Sequence, residues 1–324
     1  MATRIPLDES LWAEYLSGQE SQLPVLPPIT RLSPRVIRIL AGNPGTMQLQ
    51  GTNTYLVGTG RERVLIDTGE GHPIWLTHLQ TVLAQEDISI SHVLLTHWHG
   101  DHTGGVPSLL STFPYLQAEN RVFKAHPDKN PNPSNSSSYI QSPITHNDLF
   151  TVDGATLRAI YTPGHATDHM CFVLQEESAL FTGDNVLGHG VSVVQDLAVY
   201  MGSLETMQGL HCGAGYPGHG EWIGDVQMRI GEYIRGFEVR VRRVVEVLAR
   251  PDGEEFGGGK RAGGGMTLPE IVRGIYGDVP RDLVDNAIVP FLSQVLWKLA
   301  EDRRVGFELG GSNRRRWFGL CVEG

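Results

Sequence analysis

The sequence predicts a mixed α/β (α+β) chain: two β-rich halves with interspersed helices, followed by a small helical tail that ends in a hairpin. Three observations carry this. Short β-rich runs follow one another from Val36 onward; a strand, helix, strand succession crosses residues 63–102; and the chain changes character after Trp222.

In order, the first ~35 residues (with LPVLPPITRLSP) are Pro-rich and polar, and predict an irregular arm over residues 1–35. VIRIL, NTYLVG and RVLIDTGEG then read as strands, with TGRE as the turn between the last two. From Pro73 to Glu86 the apolar residues Ile74, Leu76, Leu79, Val82 and Leu83 have helical spacing, and HVLLTHWHGDH returns to a buried strand, which implies a parallel step. Residues 127–147 (PDKNPNPSNSSSYIQSPITHN) have no periodicity and predict a long loop at the site mouth, with the composition of a mobile lid. Strands resume at LFTVDG, TLRAIYTPGH, HMCFVLQ and ALFTGDN, and a helical segment near 197–210 precedes GYPGHG. Residues 225–249 form a long amphipathic helix, and PDGEEFGGGKRAGGG at 251–265 is Gly-rich. TLPEIVRGIYG and RDLVDNAIVPFLSQVLWKLAEDR predict two more helices, and VGFELGG with RRRWFGLCV a hairpin, so the tail is winged-helix-like. The expected organisation is an arm at 1–35, a main domain at 36–225 and a C-terminal domain at 226–324.

The chain of 324 residues, 40% apolar and 8% aromatic, is long enough for a substantial core and a recessed site, and apolar runs such as VLL at 93–95 fall far short of a membrane span. Its polar, acidic start argues against a secretory signal peptide, so a cytoplasmic protein is expected. Cys171, Cys212 and Cys321 lack close spacing, which argues against a disulfide framework and a thiolate zinc site. A net charge of −10 gives no general attraction to nucleic acid. The 13 histidines carry more information, because neutral imidazole is the commonest metal-binding side chain.

The strongest pattern is His97-Trp98-His99-Gly100-Asp101-His102. At a strand end, residues two apart project to one side, so His97 and His99 can face one metal, while a turn at Gly100 swings Asp101 and His102 toward a second. A chance match is on the order of one in a thousand per chain. The motif alone leaves two metals under-liganded, so further His and Asp residues are expected downstream. His165 in TPGH, Asp184 in TGDN and His219 in YPGH each follow a β-like run in a Gly-containing turn. The expected assignment is His97, His99 and His165 to the first metal, Asp101, His102 and His219 to the second, with Asp184 bridging. Such a centre, with metals ~3.5–4 Å apart, can hold a shared hydroxide, orient a carbonyl or phosphoryl group and stabilise developing negative charge. No Ser or Cys nucleophile is then required.

Asp67 in LIDTG has two readings of equal weight: a partner that hydrogen-bonds a metal-ligating histidine, or a turn-forming Asp at a strand end. His169 and His189 likewise could contact substrate or support the site, or could be structural histidines. His72, His78, His92, His126, His146 and His211 lack such a neighbourhood. Arg314, Arg315 and Arg316, with Arg303 and Arg304 nearby, form the one dense basic cluster, which reads as a solvated turn before it reads as a dock for an acidic partner.

Together THWHGDHTGG, TPGHATDH, FTGDN and YPGHG resemble the metallo-β-lactamase superfamily over nearly all of the first 225 residues. The resemblance implies an αββα sandwich. The tail is similar to that of the lactamase-β-2-like branch, whose members carry a C-terminal cap over the site and include an endoribonuclease. More closely, SLWAEYLSGQ, RVIRILAGNPGTMQLQGTNTYLVGTG, LIDTGEG and LLTHWHGDHTGGVP resemble fungal thioesterases that work beside non-reducing polyketide synthases, the atrochrysone carboxyl acyl-carrier-protein thioesterase group. This implies release of an aromatic polyketide from the acyl-carrier domain of a synthase, by hydrolysis or with ring closure. All seven metal positions of the family are filled here, and Asp101 would orient the attacking hydroxide.

Two divalent metal ions are therefore expected; the His and carboxylate donors suit zinc and also accept manganese. The same centre could serve a single-strand-specific endoribonuclease or a glyoxalase-II-like hydrolase of small thioesters. The net charge and the single short basic run weigh against the nuclease, which favours a continuous positive groove.

Overall fold

The computed structural model describes residues 23–45, 47–126, 139–249, 255–256, 259–260, 265–278, 284, 288–310 and 314–320. Most of the expected arm, the stretch 127–138 of the expected lid and most of the Gly-rich 251–265 lie outside them, as does Cys321.

Seven strands pair in chain order to make the first sheet: β1 (Ile29–Arg31), β2 (Val36–Leu40), β3 (Asn53–Val57), β4 (Glu62–Ile66), β5 (Ser89–Leu95), β6 (Val122–Lys124) and β7 (Ser142–Pro143). Strands β1 to β4 run antiparallel, with the TGRE turn setting Val57 opposite Val64. From β4 onward each pairing is parallel, and helices connect β4 to β5 and β5 to β6. The short β7 lies within the stretch expected to be wholly irregular. The second sheet contains β8 (Leu149–Val152), β9 (Ala155–Tyr161), β10 (Met170–Leu174), β11 (Ala179–Gly183) and β12 (Gly215–Pro217), in the order β12-β11-β10-β9-β8.

Helix α1 (Pro73–Gln85) starts on a proline whose missing N–H costs nothing in a first turn. It buries Trp75 together with Leu79, Val82 and Leu83 of the expected stripe, whereas Ile74 is 48% exposed. The spacing i, i+4, i+7, i+8 from Trp75 is the better helical period, and the indole N–H donates to Thr54 Oγ1 at 2.9 Å. One-turn helix α2 (Gly100–Thr103) and helices α3 (Val106–Thr112) and α4 (Tyr115–Ala118) follow β5.

Strand alternation divides the core. Ile37, Ile39, Leu56 and Leu65 pack with Trp75, Leu79, Leu109 and Leu116 under the helices. Val36, Tyr55, Val57, Val64 and Ile66 face Phe150, Leu157, Met170, Phe172 and Phe181 of the second sheet. On the far side of that sheet lies α5 (Leu197–Gly209), whose N-cap Asp196 accepts from Val199 N–H and whose Met207 Sδ stands 3.9 Å from Cys171 Sγ. The layers are thus helix, sheet, sheet, helix. Cys171 and Cys212 are buried free thiols.

The compact units divide at Tyr233/Ile234, inside α6 (Val226–Leu248). In the second unit β13 (Glu255–Phe256) pairs antiparallel with β14 (Gly259–Lys260). Helix α7 (Leu268–Tyr276) opens with a capping box between Thr267 and Glu270, and α8 (Val289–Glu301) precedes the antiparallel hairpin of β15 (Val305–Leu309) and β16 (Arg315–Gly319). In the expected basic cluster, Arg315 lies over Trp297 and Phe307, and Arg316 donates to Gly265 O. Among the described residues no helix is long and apolar enough to cross a membrane.

Candidate metal centre

Every expected donor follows the C-terminal end of a strand: His97, His99, Asp101 and His102 after β5, His165 after β9, Asp184 after β11 and His219 after β12. Loops at that edge of an α/β sheet can converge on one point while the strands beneath stay rigid. Strand β5 ends at Leu95, so His97 and His99 lie in the loop beyond it rather than in the strand. Asp101 and His102 stand on α2, in which the His102 and Thr103 N–H groups both donate to His99 O at 3.1 Å. A helical turn, not strand alternation, separates the two pairs.

The structure brings all seven together in two groups: His97, His99, His165 and Asp184 in one, Asp101, His102, Asp184 and His219 in the other, with donor atoms in each within 4.8 Å of one another. Asp184 belongs to both. In the first group His97 Nε2 lies 2.8 Å from His99 Nδ1, and His165 Nε2 lies 3.2 and 3.0 Å from these atoms. In the second, His219 Nε2 is 3.2 Å from both Asp101 Oδ2 and Asp184 Oδ2, and His102 Nε2 is 3.3 Å from Asp184 Oδ1.

The surrounding hydrogen bonds assign the protons. The Thr96 hydroxyl donates to Asp67 Oδ2 at 2.9 Å, so it accepts from His97 Nδ1–H at 2.9 Å and leaves His97 Nε2 a bare lone pair. His165 Nδ1–H donates to Val193 O at 2.6 Å, which bares its Nε2. Asp67, expected either to support a ligand or to form a turn, hydrogen-bonds the ring of His102. Its φ of 58° is left-handed backbone that costs about 1–3 kcal/mol, and its carboxylate takes Thr96 N–H at 2.8 Å and His102 Nδ1–H at 2.8 Å. His102 Nε2 and Asp184 Oδ1 are buried with no hydrogen-bond partner among the described residues.

These observations fit a divalent cation in each group. Donor atoms ~2.0–2.1 Å from a tetrahedral metal stand about 3.3 Å apart. Lone pairs facing lone pairs, and orphaned buried donors, are what a bound cation resolves.

The groups differ electrostatically. Burial, then the neighbouring His102 and His165, pushes His97 well below the usual imidazole range, and burial with His165 takes His99 down to about 4. Burial opposes charge on His219 and His102 too, but Asp184 and Asp101 outweigh it, lifting His219 to about 9 and His102 well above its ordinary value. Asp101, despite burial, is held at about 2 by His102 and His219.

His169 is fully buried. Its Nε2 accepts from Asp184 N–H at 3.1 Å, and its Nδ1–H donates to Thr162 Oγ1 at 3.0 Å. Gly183 permits this: its φ is 49°, and a Cβ there would stand 2.5 Å from His169 Nε2. Gly218 is equally constrained, since a Cβ would meet Asp184 Oδ1 at 2.2 Å. His189 is half-buried on a loop pinned by Tyr233, which accepts from Leu187 N–H, and by Arg229, which donates to Gly190 O at 2.7 Å. Among the described residues its ring has no hydrogen-bond partner.

Sequence reasoning missed several supports. Asn53 Nδ2 donates to Pro217 O and Gly220 O, both at 2.9 Å, fixing the His219 turn to β3. Thr52 Oγ1 approaches Asp101 Oδ2 at 3.4 Å, and Lys124 pairs with Asp168 beneath the His165 turn. Only Asp168 carried a signal, its place beside His169 in HATDH.

Residues 48–219 match the model of the metallo-beta-lactamase superfamily. The chain belongs to that superfamily. It is 59% identical over 323 residues to the lactamase-like protein vrtG of Penicillium aethiopicum, covering 100% of both chains. It is 56% identical to the lactamase-like protein nscB of Neosartorya fischeri, over 99% of this chain and 95% of that one. The lactamase-like protein aptB of Emericella nidulans is 53% identical over 98% of each. Among solved structures, a beta-lactamase domain protein from Burkholderia ambifaria superposes with a TM-score of 0.69 at 18% identity, over 93% of this chain and 98% of that one. The metallo-beta-lactamase family protein TTHA1429 from Thermus thermophilus gives 0.62 at 23% identity, over 90% of this chain and 100% of that one. These structures share the fold. The superfamily and the His/Asp cluster together indicate divalent-metal binding.

Proposed function

We propose that this chain is a metal-dependent thioesterase that releases an aromatic polyketide from the acyl-carrier domain of a non-reducing polyketide synthase. The observation that carries the reading is the pair of donor groups sharing Asp184, a geometry suited to two cations, zinc or manganese. When bound, such a pair supplies a water acidic enough to ionise near neutral pH and positive charge for a developing oxyanion.

The chain's own residues do the rest. His97, His99 and His165 would hold one cation and Asp101, His102 and His219 the other, with Asp184 between. Asp101, half-buried and with its carboxyl held low by His102 and His219, would orient the attacking oxygen. The thiol of the carrier arm, with a pKa of about 8.5, departs as thiolate, so no strong general acid is needed. An apolar acyl group suits the surroundings: Trp98 lies edge-on to His99 at 4.5 Å, and Val191 and Val193 are 50% and 58% exposed on the loop that holds His165. Similarity to lactamase-like proteins of filamentous fungi along the whole chain supports the setting without naming the substrate.

The test offers the purified protein a carrier-bound polyketide thioester, lactoylglutathione and single-stranded RNA, each with and without chelator. Release of acid from the carrier thioester alone, lost with chelator and in Asp101→Ala, is the expected outcome. Cleavage of RNA alone, or of lactoylglutathione alone, overturns it in favour of the corresponding hydrolase.

A further inference from the structure

Beneath the cluster lies a charged pair that the chemistry above does not use. Lys124, the last residue of β6 in the first sheet, has no solvent exposure, and Asp168, in the β9–β10 turn of the second, has 2%. Their Nζ and Oδ2 are in direct contact, and Nζ also donates to Ala125 O at 3.0 Å. Neither carboxylate oxygen has a further hydrogen-bond partner among the described residues. Burying both charges carries a large desolvation cost, and apolar side chains of similar volume would join the sheets at least as stably. The place of the pair is therefore informative.

Asp168 stands between His165 and His169. The first contributes Nε2 to the group with His97 and His99, and the second holds the main chain of Asp184, which both groups share. The turn closes through Thr162 N–H to His169 O at 3.0 Å and joins the first sheet through Met170 N–H to Thr96 O at 2.8 Å. The hydrogen bonds within the turn fix its shape; Lys124 adds a charged tether to the other sheet, whose β5 leads into His97 and His99.

We propose that Lys124 and Asp168 are a positioning pair, tying the His165–His169 turn to the first sheet and so setting the separation of His165 from His97 and His99 and, through His169, the place of Asp184. The proposal rests on the two-cation reading of the cluster and is independent of the substrate.

Full-length K124M, D168N and K124M/D168L are stripped of metal, titrated with zinc against a chromophoric competitor well below their unfolding temperatures, and melted in the metal-free form. Each single variant leaves one buried charge uncompensated, and its midpoint is expected to fall by on the order of 10 °C. The double variant is expected to recover the parent midpoint yet bind at least one zinc equivalent about 10- to 100-fold more weakly. A merely structural pair would not separate these readouts, so a double variant matching the parent in both overturns the proposal. If the double variant does not regain the midpoint, K124R and D168E keep the charges and shift the contact; weaker zinc binding at near-parent stability is then expected, and parent-like zinc binding overturns the proposal. A parent protein that binds no zinc refutes the two-cation reading instead.

Discussion

The two donor groups that share Asp184 are built from similar side chains and differ in the charge their surroundings favour. His97, His99 and His165 are imidazoles driven neutral by burial and by one another. His102 and His219 sit against Asp101, Asp184 and Asp67, which outweigh burial and raise their affinity for a proton. One half favours neutral imidazoles; in the other, the carboxylates favour positive charge. The difference teaches that nearby carboxylates, rather than the count of histidines, set the charge each position presents.

The largest test of this contrast is Asp184→Ala. Elemental analysis should find both metal equivalents lost, with hydrolysis reduced on the order of 10³-fold, the value of several kcal/mol of charge stabilisation. Next, His165→Ala and His219→Ala should each lose about one equivalent while keeping the other; loss of both in either variant would mean the halves act as one site. Asp67→Asn should weaken zinc binding about 10- to 100-fold, mainly in the half containing His102, whose ring it holds. Equal weakening of both halves in a competition titration would break the contrast.

The smallest effect lies under the shared support. Cys171 Sγ accepts from Thr162 Oγ1 at 3.2 Å, and burial pushes its thiol up from 9.0 to about 12. A group whose folded pKa is raised contributes stability that is complete below the unfolded value and lost as pH rises through the folded one. Thermal midpoints should therefore fall between about pH 9 and 12, and Cys171→Ala should flatten part of that slope. An unchanged slope would show that the thiol does not set it.

Much of this was legible from residues alone. β-rich runs placed β2 to β4 and β8 to β11 close to their observed bounds, because each strand is short, apolar and closed by a turn, whereas β5 starts three residues before the expected run and ends at Leu95, ahead of the histidines. His97 to His102 were legible because four donors lie within six positions, and His165, Asp184 and His219 because each ends a β-like run. In the α1 stripe Leu79, Val82 and Leu83 are buried as expected, but Ile74 stood in the place of Trp75 because both are apolar and only packing decides between them. The role of His169 was not legible, since it depends on which atom of Asp184 its ring meets. Lys124 gave no warning either: a lysine closing a strand usually faces water, and only the second sheet buries it.

The bond from His165 Nδ1 to Val193 O has a consequence for how relatives can diverge. A main-chain carbonyl cannot be deleted by exchanging a side chain, so point substitution has no direct means of releasing that imidazole. Lengthening or shortening the segment from Gly188 to Gln195 does have one. Surface loops tolerate insertions more readily than strands, so an insertion there would also move the acceptor that sets the basicity of the His165 ring.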